Sequence, residues 1–478
     1  MEGMSSRRSS TEELHTQVHV FNPIPEPAKV LPQYIAAIAA NLAAMAAGCV
    51  LGWTSPALPK VSEGPDNEGW LTLTDDEASW VGSLTPLGAA IGPFLAGFLV
   101  GRVGCKLTAM GSVAPFLLSW IMIMFGTGIG LICFARVLLG VGVGMVFTVV
   151  PIYVGEISED RVRGALGSFL QLFIVAGLLY VYCIGPYVSY LTLVVVSAAV
   201  PVAFAVAFFF VPESPYQYLA KGKRDEACAA LQWLRGQSRE GVQNELNNME
   251  ASMQDMLKNK SKLRDLIATK GNIKALQLSL GLVTFQQLSG INAVLFYSQG
   301  IFAQSGGSLQ PEVATIIVGV VMLLASCVTP LVVDRLGRRM LLLISAVGMG
   351  ISEIILGIFF KIQNDGSDVS SIGWLPVICL VVYITVYSVG FGPLAWAVMG
   401  ELFPANVKSN ASACTASFCW FIAFFITRFF SDIVNALGSH FAFWIFAIFT
   451  FVSAVFVYFL LPETKGKSLQ EIQDILNK

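Results

Sequence analysis

The sequence predicts an all-α membrane protein: twelve transmembrane helices in two six-helix halves, with a short helical segment between them. Three observations carry this expectation. The composition is too apolar for a water-soluble globule, about twelve apolar runs are long enough to cross a bilayer, and several motifs occur once in each half of the chain.

Of the 478 residues, 55% are hydrophobic and 13% charged, against about 25% charged in a soluble domain. Lys and Arg number 29 and Asp and Glu 31, a net charge of -2, so no global field favours nucleic acid. Nine cysteines, mostly inside apolar runs (Cys49, Cys133, Cys183, Cys327, Cys379, Cys419), do not form a disulfide framework pattern. Three histidines and no Cys/His cluster argue against zinc, and no cofactor is expected.

A helix needs roughly 20 apolar residues to cross the hydrocarbon. The runs lie near 33-56, 80-100, 107-126, 129-153, 165-185, 190-211, 276-303, 311-333, 340-362, 372-400, 410-432 and 440-461. The first follows about 32 polar residues and lacks a small-residue cleavage site, so it reads as a retained span. With both termini inside, inner loops hold 25 of the 29 basic residues and outer loops only Lys60 and Lys361; Arg136 and Arg428 fall within spans. The positive-inside rule then makes both termini cytoplasmic. The loop 57-79 is acidic (Glu63, Asp66, Glu68, Asp75, Asp76, Glu77), which agrees with an outer position. The sequons at Asn259 and Asn410 fall inside and are expected to stay unglycosylated.

The chain therefore divides into a cytoplasmic tail 1-32, a first half 33-211, a cytoplasmic helical linker 212-275, a second half 276-461 and a tail 462-478. The halves echo each other. Gly101-Arg102-Val103-Gly104-Cys105-Lys106 follows the second span, and Asp334-Arg335-Leu336-Gly337-Arg338-Arg339 the eighth. Glu156 precedes Arg163 by seven residues, as Glu401 precedes Lys408. Pro212-Glu213-Ser214-Pro215 matches Pro462-Glu463-Thr464-Lys465. The offsets are 334-101=233, 401-156=245 and 462-212=250, nearly one spacing. Parallel six-span halves with a site between them describe a secondary transporter.

The candidate site residues are neutral. Gln286, Gln287 and Asn292 in the seventh span both donate and accept hydrogen bonds, which suits an uncharged, hydroxyl-rich solute; the alternative is interhelical glue. Phe296 and Tyr297 follow on the same span. Gly390-Phe391-Gly392-Pro393 interrupts the tenth span, placing Trp396 to offer a ring face to C–H groups; Trp420 is a second such ring. Gln171, alone in the fifth span, fits ligand contact and interhelical glue equally. The candidate gating charges are Glu156, Arg163, Asp334, Arg335, Arg338, Glu401 and Lys408, the arginines reaching carboxylates such as Glu401 or Glu463. Glu353 is the one carboxylate well inside an apolar run, a proton-coupling group or a helix-to-helix hydrogen-bonding one.

These motifs resemble the sugar-porter family of the major facilitator superfamily over residues 33-475. The matching stretches are Pro151-x-Tyr153-x-x-Glu156-Ile157, Arg163-Gly164, Pro212-Glu213-Ser214-Pro215, Gln286-Gln287-Leu288-Ser289-Gly290-x-Asn292, Asp334-Arg335-x-Gly337-Arg338-Arg339, Glu401-Leu402-Phe403-Pro404 and Pro462-Glu463-Thr464-Lys465-Gly466. Leu51 to Pro59, Gln232 to Gly236 and Trp396 to Glu401 look like the branch holding insect facilitated trehalose carriers and class-III facilitative hexose carriers. The resemblance implies uniport of a neutral sugar, trehalose first and glucose second, with sugar contacts at Gln171, Gln286, Gln287, Asn292, Trp396 and Trp420. Symporters of the family carry an acid where Thr54 stands here, which favours passive transport over proton coupling. This chain departs from the family pattern at Gly101, Cys105 and Tyr216, where the first-half charge cluster is depleted, and at Met322 and Cys419, where amides are usual. The expected working form is a monomer in a lipid bilayer, in the plasma membrane, without a nucleic-acid partner and without enzymatic activity. A transport-dead sensor would carry a long signalling tail, and only about 16 residues follow Pro462.

Overall fold

The computed structural model describes residues 29–62, 68, 71–258, 263–307, 309–467 and 469–477. The Ser5–Ser10 stretch, Arg7, Arg8, Glu63, Asp66 and the sequon at Asn259 lie outside the described residues, as does the side chain of Asp334. Among the described residues, twelve helices are long and apolar enough to cross a membrane. In order they are Leu31–Val61, Asp75–Val103, Cys105–Phe125, Ile129–Ile157, Asp160–Tyr187, Tyr190–Phe209, Lys270–Ser305, Pro311–Val333, Arg338–Asn364, Ser370–Leu402, Asn406–Leu437 and Ser439–Leu460, called spans 1 to 12 below. The face where span 1 begins and span 12 ends is called the terminal face, and the other the opposite face.

Local chemistry sets several of the starts. Thr74 and Glu77 form a capping box at span 2: the Glu77 backbone N–H donates to Thr74 Oγ1 at 3.4 Å, and the Thr74 N–H to Glu77 Oε2 at 2.9 Å. Ser189 and Thr269 accept from the N–H groups of Thr192 and Asn272, which opens spans 6 and 7 in the same way.

Between the halves, helices Pro215–Ala220, Arg224–Arg235 and Gln243–Lys258 lie at the terminal face. They share a small core of Ala227, Cys228, Leu231, Val242, Leu246 and Met249, as their amphipathic pattern requires. Arg235 is buried and ties this segment to the bundle. It pairs with Glu245 at 2.7 Å and Glu159 at 3.3 Å, and donates to the Ile157 carbonyl at 2.9 Å. The last helix, Leu469–Asn477, is fastened likewise: Gln473 donates to the Leu402 carbonyl at 2.6 Å, and Asn477 accepts from the Gly271 N–H at 2.8 Å.

Within the first half, spans 2 and 4 cross at backbone contact. A Cβ on Gly140 would lie 2.0 Å from the Thr85 carbonyl oxygen, and one on Gly88 1.9 Å from that of Val137. Small residues permit this approach, which replaces a hydrophobic drive that lipid does not supply. Between halves, span 2 packs on span 11, span 5 on span 8, and the outer parts of spans 1 and 7 on each other.

Gly140→Ala is expected to lower thermal stability in detergent by about 1–3 kcal/mol, because the clashing atoms, in Thr85, Gly88 and Ala89, are all backbone. Gly97→Ala, where a Cβ meets nothing within 4 Å, is the control and should leave the unfolding temperature unchanged within experimental scatter.

Candidate functional site

Two spans of the second half break near mid-membrane and face each other. Span 7 stops at Leu288 and restarts at Ile291, with Gly290 at φ 76° between. Only glycine holds this conformation without strain, and a Cβ there would also lie 2.4 Å from the Phe446 ring. Span 10 stops at Val389 and restarts at Phe391 through Gly390. Breaks expose carbonyls that must find donors in a medium without water. Gln286 ties the two breaks together: its amide donates to the Phe391 carbonyl at 2.9 Å and the Gly392 carbonyl at 3.0 Å, on the first turn of the restarted span 10. Tyr383 donates to the Ser289 carbonyl at 2.7 Å, closing the other break.

The remaining amides form a chain. Asn292 donates to Gln287 Oε1 at 2.6 Å, and Gln287 donates to the Cys419 sulfur at 3.0 Å. The Cys419 thiol reaches Gln286 Oε1 at 3.8 Å. A cysteine therefore joins both glutamines at the position where the family resemblance leads one to expect an amide. Trp420 meets Phe147 of the first half edge to face, centroids 5.3 Å apart, and its indole N–H has no protein partner. Trp396 is half-buried.

In the terminal half of the bundle a cavity of about 180 Å³ is lined by Asn41, Val150, Pro151, Val154, Gly155, Arg163, Leu166, Gly167 and Leu170. Gln171, the residue after Leu170 on span 5, is half-buried and is not among the cavity's lining residues. Phe296 lies four residues after Asn292 on the restarted helix of span 7. It is fully buried in the hydrophobic core, because the break at Gly290 turns the next helix so that Tyr297, the following residue, reaches the first half instead. Glu353 accepts from Thr450 Oγ1 at 3.1 Å and is 3% exposed. It borders a small void with Ser352, Cys379 and Tyr383, all within the second half.

Among the gating candidates the two halves differ. In the second half Arg338 holds Glu401, with Nε and Nη2 each 3.1 Å from Oε1. The offset of 233 that relates the halves carries Arg338 onto Cys105, and Cys105 is where the first half contacts its own glutamate: the thiol lies 3.7 Å from Glu156 Oε2. Gln217 donates to Glu156 Oε1 at 3.3 Å. A thiol and an amide stand where the second half has an ion pair. Arg163 pairs with Asp160 at 2.6 Å in an exposed position and donates to the Ser158 carbonyl, so Glu156 and Arg163 do not meet here. Arg335 is exposed, and its carbonyl accepts from Lys465 at 2.8 Å. Lys408 is exposed beside Gly400.

The glutamates ending the halves cap the turns. Glu213 accepts from the Lys106 N–H at 2.9 Å, and Glu463 from the N–H groups of Arg338 and Arg339 at 3.1 and 3.0 Å. A carboxylate at a helix start is favoured by the unpaired N–H groups and the helix dipole. Burial pushes the Glu213 carboxyl above its usual range, although the Lys106 and Ser214 N–H groups pull it down. Burial also opposes ionisation of Glu463, but there the N–H groups of Lys465, Arg339 and Arg338 win and hold it below the usual range.

Three polar positions were passed over in the sequence. Asn41 lies on the cavity wall with Oδ1 unpartnered; its signal, a lone amide in an apolar run, is the same that singles out Gln171. Arg136 is fully buried, donates to the carbonyls of Val81 and Val50, and lies over the Trp53 ring. Arg428 is described below. The two arginines entered the topology count only as residues within spans.

Twelve spans in two matched halves, with interrupted helices in the second and a capped turn in each, make up the major facilitator fold. Residues 40–476 match the family described as "Sugar (and other) transporter", and the chain belongs to that family. It is 39% identical over 467 residues to the facilitated trehalose transporter Tret1 of Aedes aegypti, covering 98% of this chain and 58% of that protein. It is 40% identical over 462 residues to Tret1 of Culex quinquefasciatus, covering 96% and 89%. This chain thus spans little more than half the length of the first of these relatives. A solved structure of the proton:xylose symporter XylE bound to 6-bromo-6-deoxy-D-glucose superposes with a TM-score of 0.75 at 23% identity, covering 93% of this chain and 99% of that one. The inward-open xylose transporter XylE from E. coli gives 0.76 at 22%, covering 93% and 99%.

Glu463 strengthens the fold above its unfolded pKa, about 4.3, and that contribution is lost only as pH falls through its lower folded value. Glu213 has the opposite sign: its folded value is the higher, so its ionisation costs stability as pH rises across the interval. At pH 7, Glu463→Gln should therefore lower the unfolding temperature, by an effect of about 1 kcal/mol or less, and Glu213→Gln should lower it less. Differential scanning fluorimetry of the two variants checks the order.

Proposed function

We propose that the chain is a uniporter of a neutral sugar, trehalose first and glucose or another hexose second, working by alternating access. The observation that carries this is the neutral chain Asn292–Gln287–Cys419–Gln286 at two facing helix breaks. It offers donors and acceptors without a net charge, which suits hydroxyl groups and discriminates against ions. Sugar hydroxyls would meet Gln171, Gln286, Gln287 and Asn292, and Trp396 and Trp420 would cover its C–H faces. The names of the Tret1 relatives support trehalose.

The 25-to-2 distribution of basic residues supports a cytoplasmic terminal face, and hence an inward-facing cavity. Plasma-membrane residence and a monomeric state belong to the same reading. In it, Arg163, Arg335, Arg338, Lys408, Glu156, Glu401 and Asp334 gate the cytoplasmic side. One oxygen of Glu401 is buried without a partner, and closure of that side would offer it one. Glu353 lies behind the helix-break layer and serves as a helix-to-helix acceptor, so transport is passive.

Uptake of radiolabelled trehalose and glucose into proteoliposomes, with and without an inward proton gradient, tests this. Trehalose should equilibrate without accumulating and ignore the gradient. Glucose entry with trehalose excluded would overturn the substrate, and gradient-driven accumulation would overturn the mechanism. Trp396→Ala should raise the half-saturating sugar concentration about tenfold, the effect of losing roughly 1.4 kcal/mol of contact, with the protein still reaching the membrane. Unchanged kinetics would remove Trp396 from the site.

A further inference from the structure

We infer that Arg428 and Asp76 form a latch across the two halves at the opposite face, and that breaking it is a required step in opening that face. The inference rests on the alternating-access reading and locates its second gate.

Arg428 projects from span 11 and is 12% exposed at its side chain. It is ion-paired with Asp76 in the first turn of span 2, 352 residues away in the chain. The contact is built from several directions. Arg428 Nη1 donates to Ser79 Oγ at 3.3 Å, and Ser79 Oγ donates to the Arg428 carbonyl at 2.7 Å, so backbone and side chain of one residue are gripped by one turn of the other half. The guanidinium lies 4.6 Å from the centroid of the Trp80 ring, also on span 2. Asp76 sits among the open N–H groups of a helix start, where its charge is favoured. Asp432, four residues on in span 11, accepts from Arg428 at 2.9 Å but does not cross between halves.

Tyr297 joins the latch to the proposed sugar site. It lies in the outer part of span 7, five residues after Asn292, where the helix departs from regular geometry. Its hydroxyl donates to the Thr427 carbonyl, next to Arg428, at 3.1 Å. A Cβ on Gly82 would lie 2.6 Å from that hydroxyl, so the tyrosine is wedged between spans 2 and 11. Two residues on, the Gln299 N–H donates to Ser55 Oγ of span 1 at 3.1 Å. A pull on Asn292 by bound sugar is transmitted along one short helix to Tyr297 and Gln299, and through the Thr427 carbonyl to the turn that carries Arg428. Span 2 cannot leave span 11 without breaking the contacts of Arg428 with Asp76, Ser79 and Trp80.

The test compares Asp76→Asn, Arg428→Gln and Asp432→Asn in the full chain. Hydrogen exchange of segments 74–82 and 291–300, followed by mass spectrometry in detergent without sugar, reports opening directly. Both cross-half variants should exchange faster there than the parent, and Asp432→Asn should not. In proteoliposomes, the same two variants should lower the half-saturating concentration for sugar entry from the opposite face relative to exit by about twofold to fivefold, as a partly exposed ion pair allows. Unchanged exchange in Asp76→Asn and Arg428→Gln, or an equal effect of Asp432→Asn, overturns the latch. Absence of sugar transport by the parent chain overturns the uniporter reading alone, since the exchange experiment needs no transport.

Discussion

The second half depends on one interaction: the grip of Gln286 on the carbonyls of Phe391 and Gly392. A broken helix in hydrocarbon leaves carbonyls that water cannot satisfy, and each orphan costs several kcal/mol. One glutamine amide from span 7 grips the first turn of the restarted span 10, and Tyr383 of span 10 answers the Ser289 carbonyl left at the break in span 7, so the two breaks are tied together from both sides. Placing a hydrogen-bonding cavity at mid-membrane requires such breaks. In the proposed reading, the glutamine that ties the breaks together also meets the polar solute.

The duplicated halves have diverged in how they close rather than in how they fold. Both put the glutamate that follows their last span on the turn after their second, Glu213 on Lys106 and Glu463 on Arg338 and Arg339. Around that shared cap the charges differ. The second half adds Arg338 to Glu401, while the first has Cys105 facing Glu156. A thiol–carboxylate contact carries far less electrostatic attraction than an ion pair, so the first half holds its terminal end mainly through Gln217 and the helical linker anchored by Arg235. The linker thereby takes over part of what the missing charge does in the other half.

Much of this was legible in the sequence, and the reason is physical. Spans announce themselves by length and apolarity, because the bilayer imposes both. The matched motifs placed Glu463 near Arg338, and the amides of span 7 were picked out because an unpaired amide in lipid is costly. The sequence did not separate Phe296, buried in the core, from Tyr297, which reaches span 2, because no periodicity carries across the break at Gly290. Cys105 appeared only as a departure from a pattern; its place opposite Glu156 required the offset between halves to be read as a spatial equivalence. Arg428 and Asp76 stayed invisible as a pair because 352 residues separate them and no repeat relates them.

These contacts together define which way the described structure faces. Ser55, Asp76, Ser79 and Gly82 in the first half meet Gln299, Arg428 and Tyr297 in the second at the opposite face. The cavity between spans 1, 4 and 5 lies in the terminal half, beside an Arg163 that is exposed and bound only within its own half. A carrier that must close one side before opening the other needs the two sets of contacts to be mutually exclusive. Here the closed side is held by ion pairing, two hydroxyl contacts and a wedged tyrosine, none of which requires a bound solute. In the proposed cycle, solute contact at Asn292 would act on the part of span 7 after its break, the segment that contributes Tyr297 and Gln299 to that closed side.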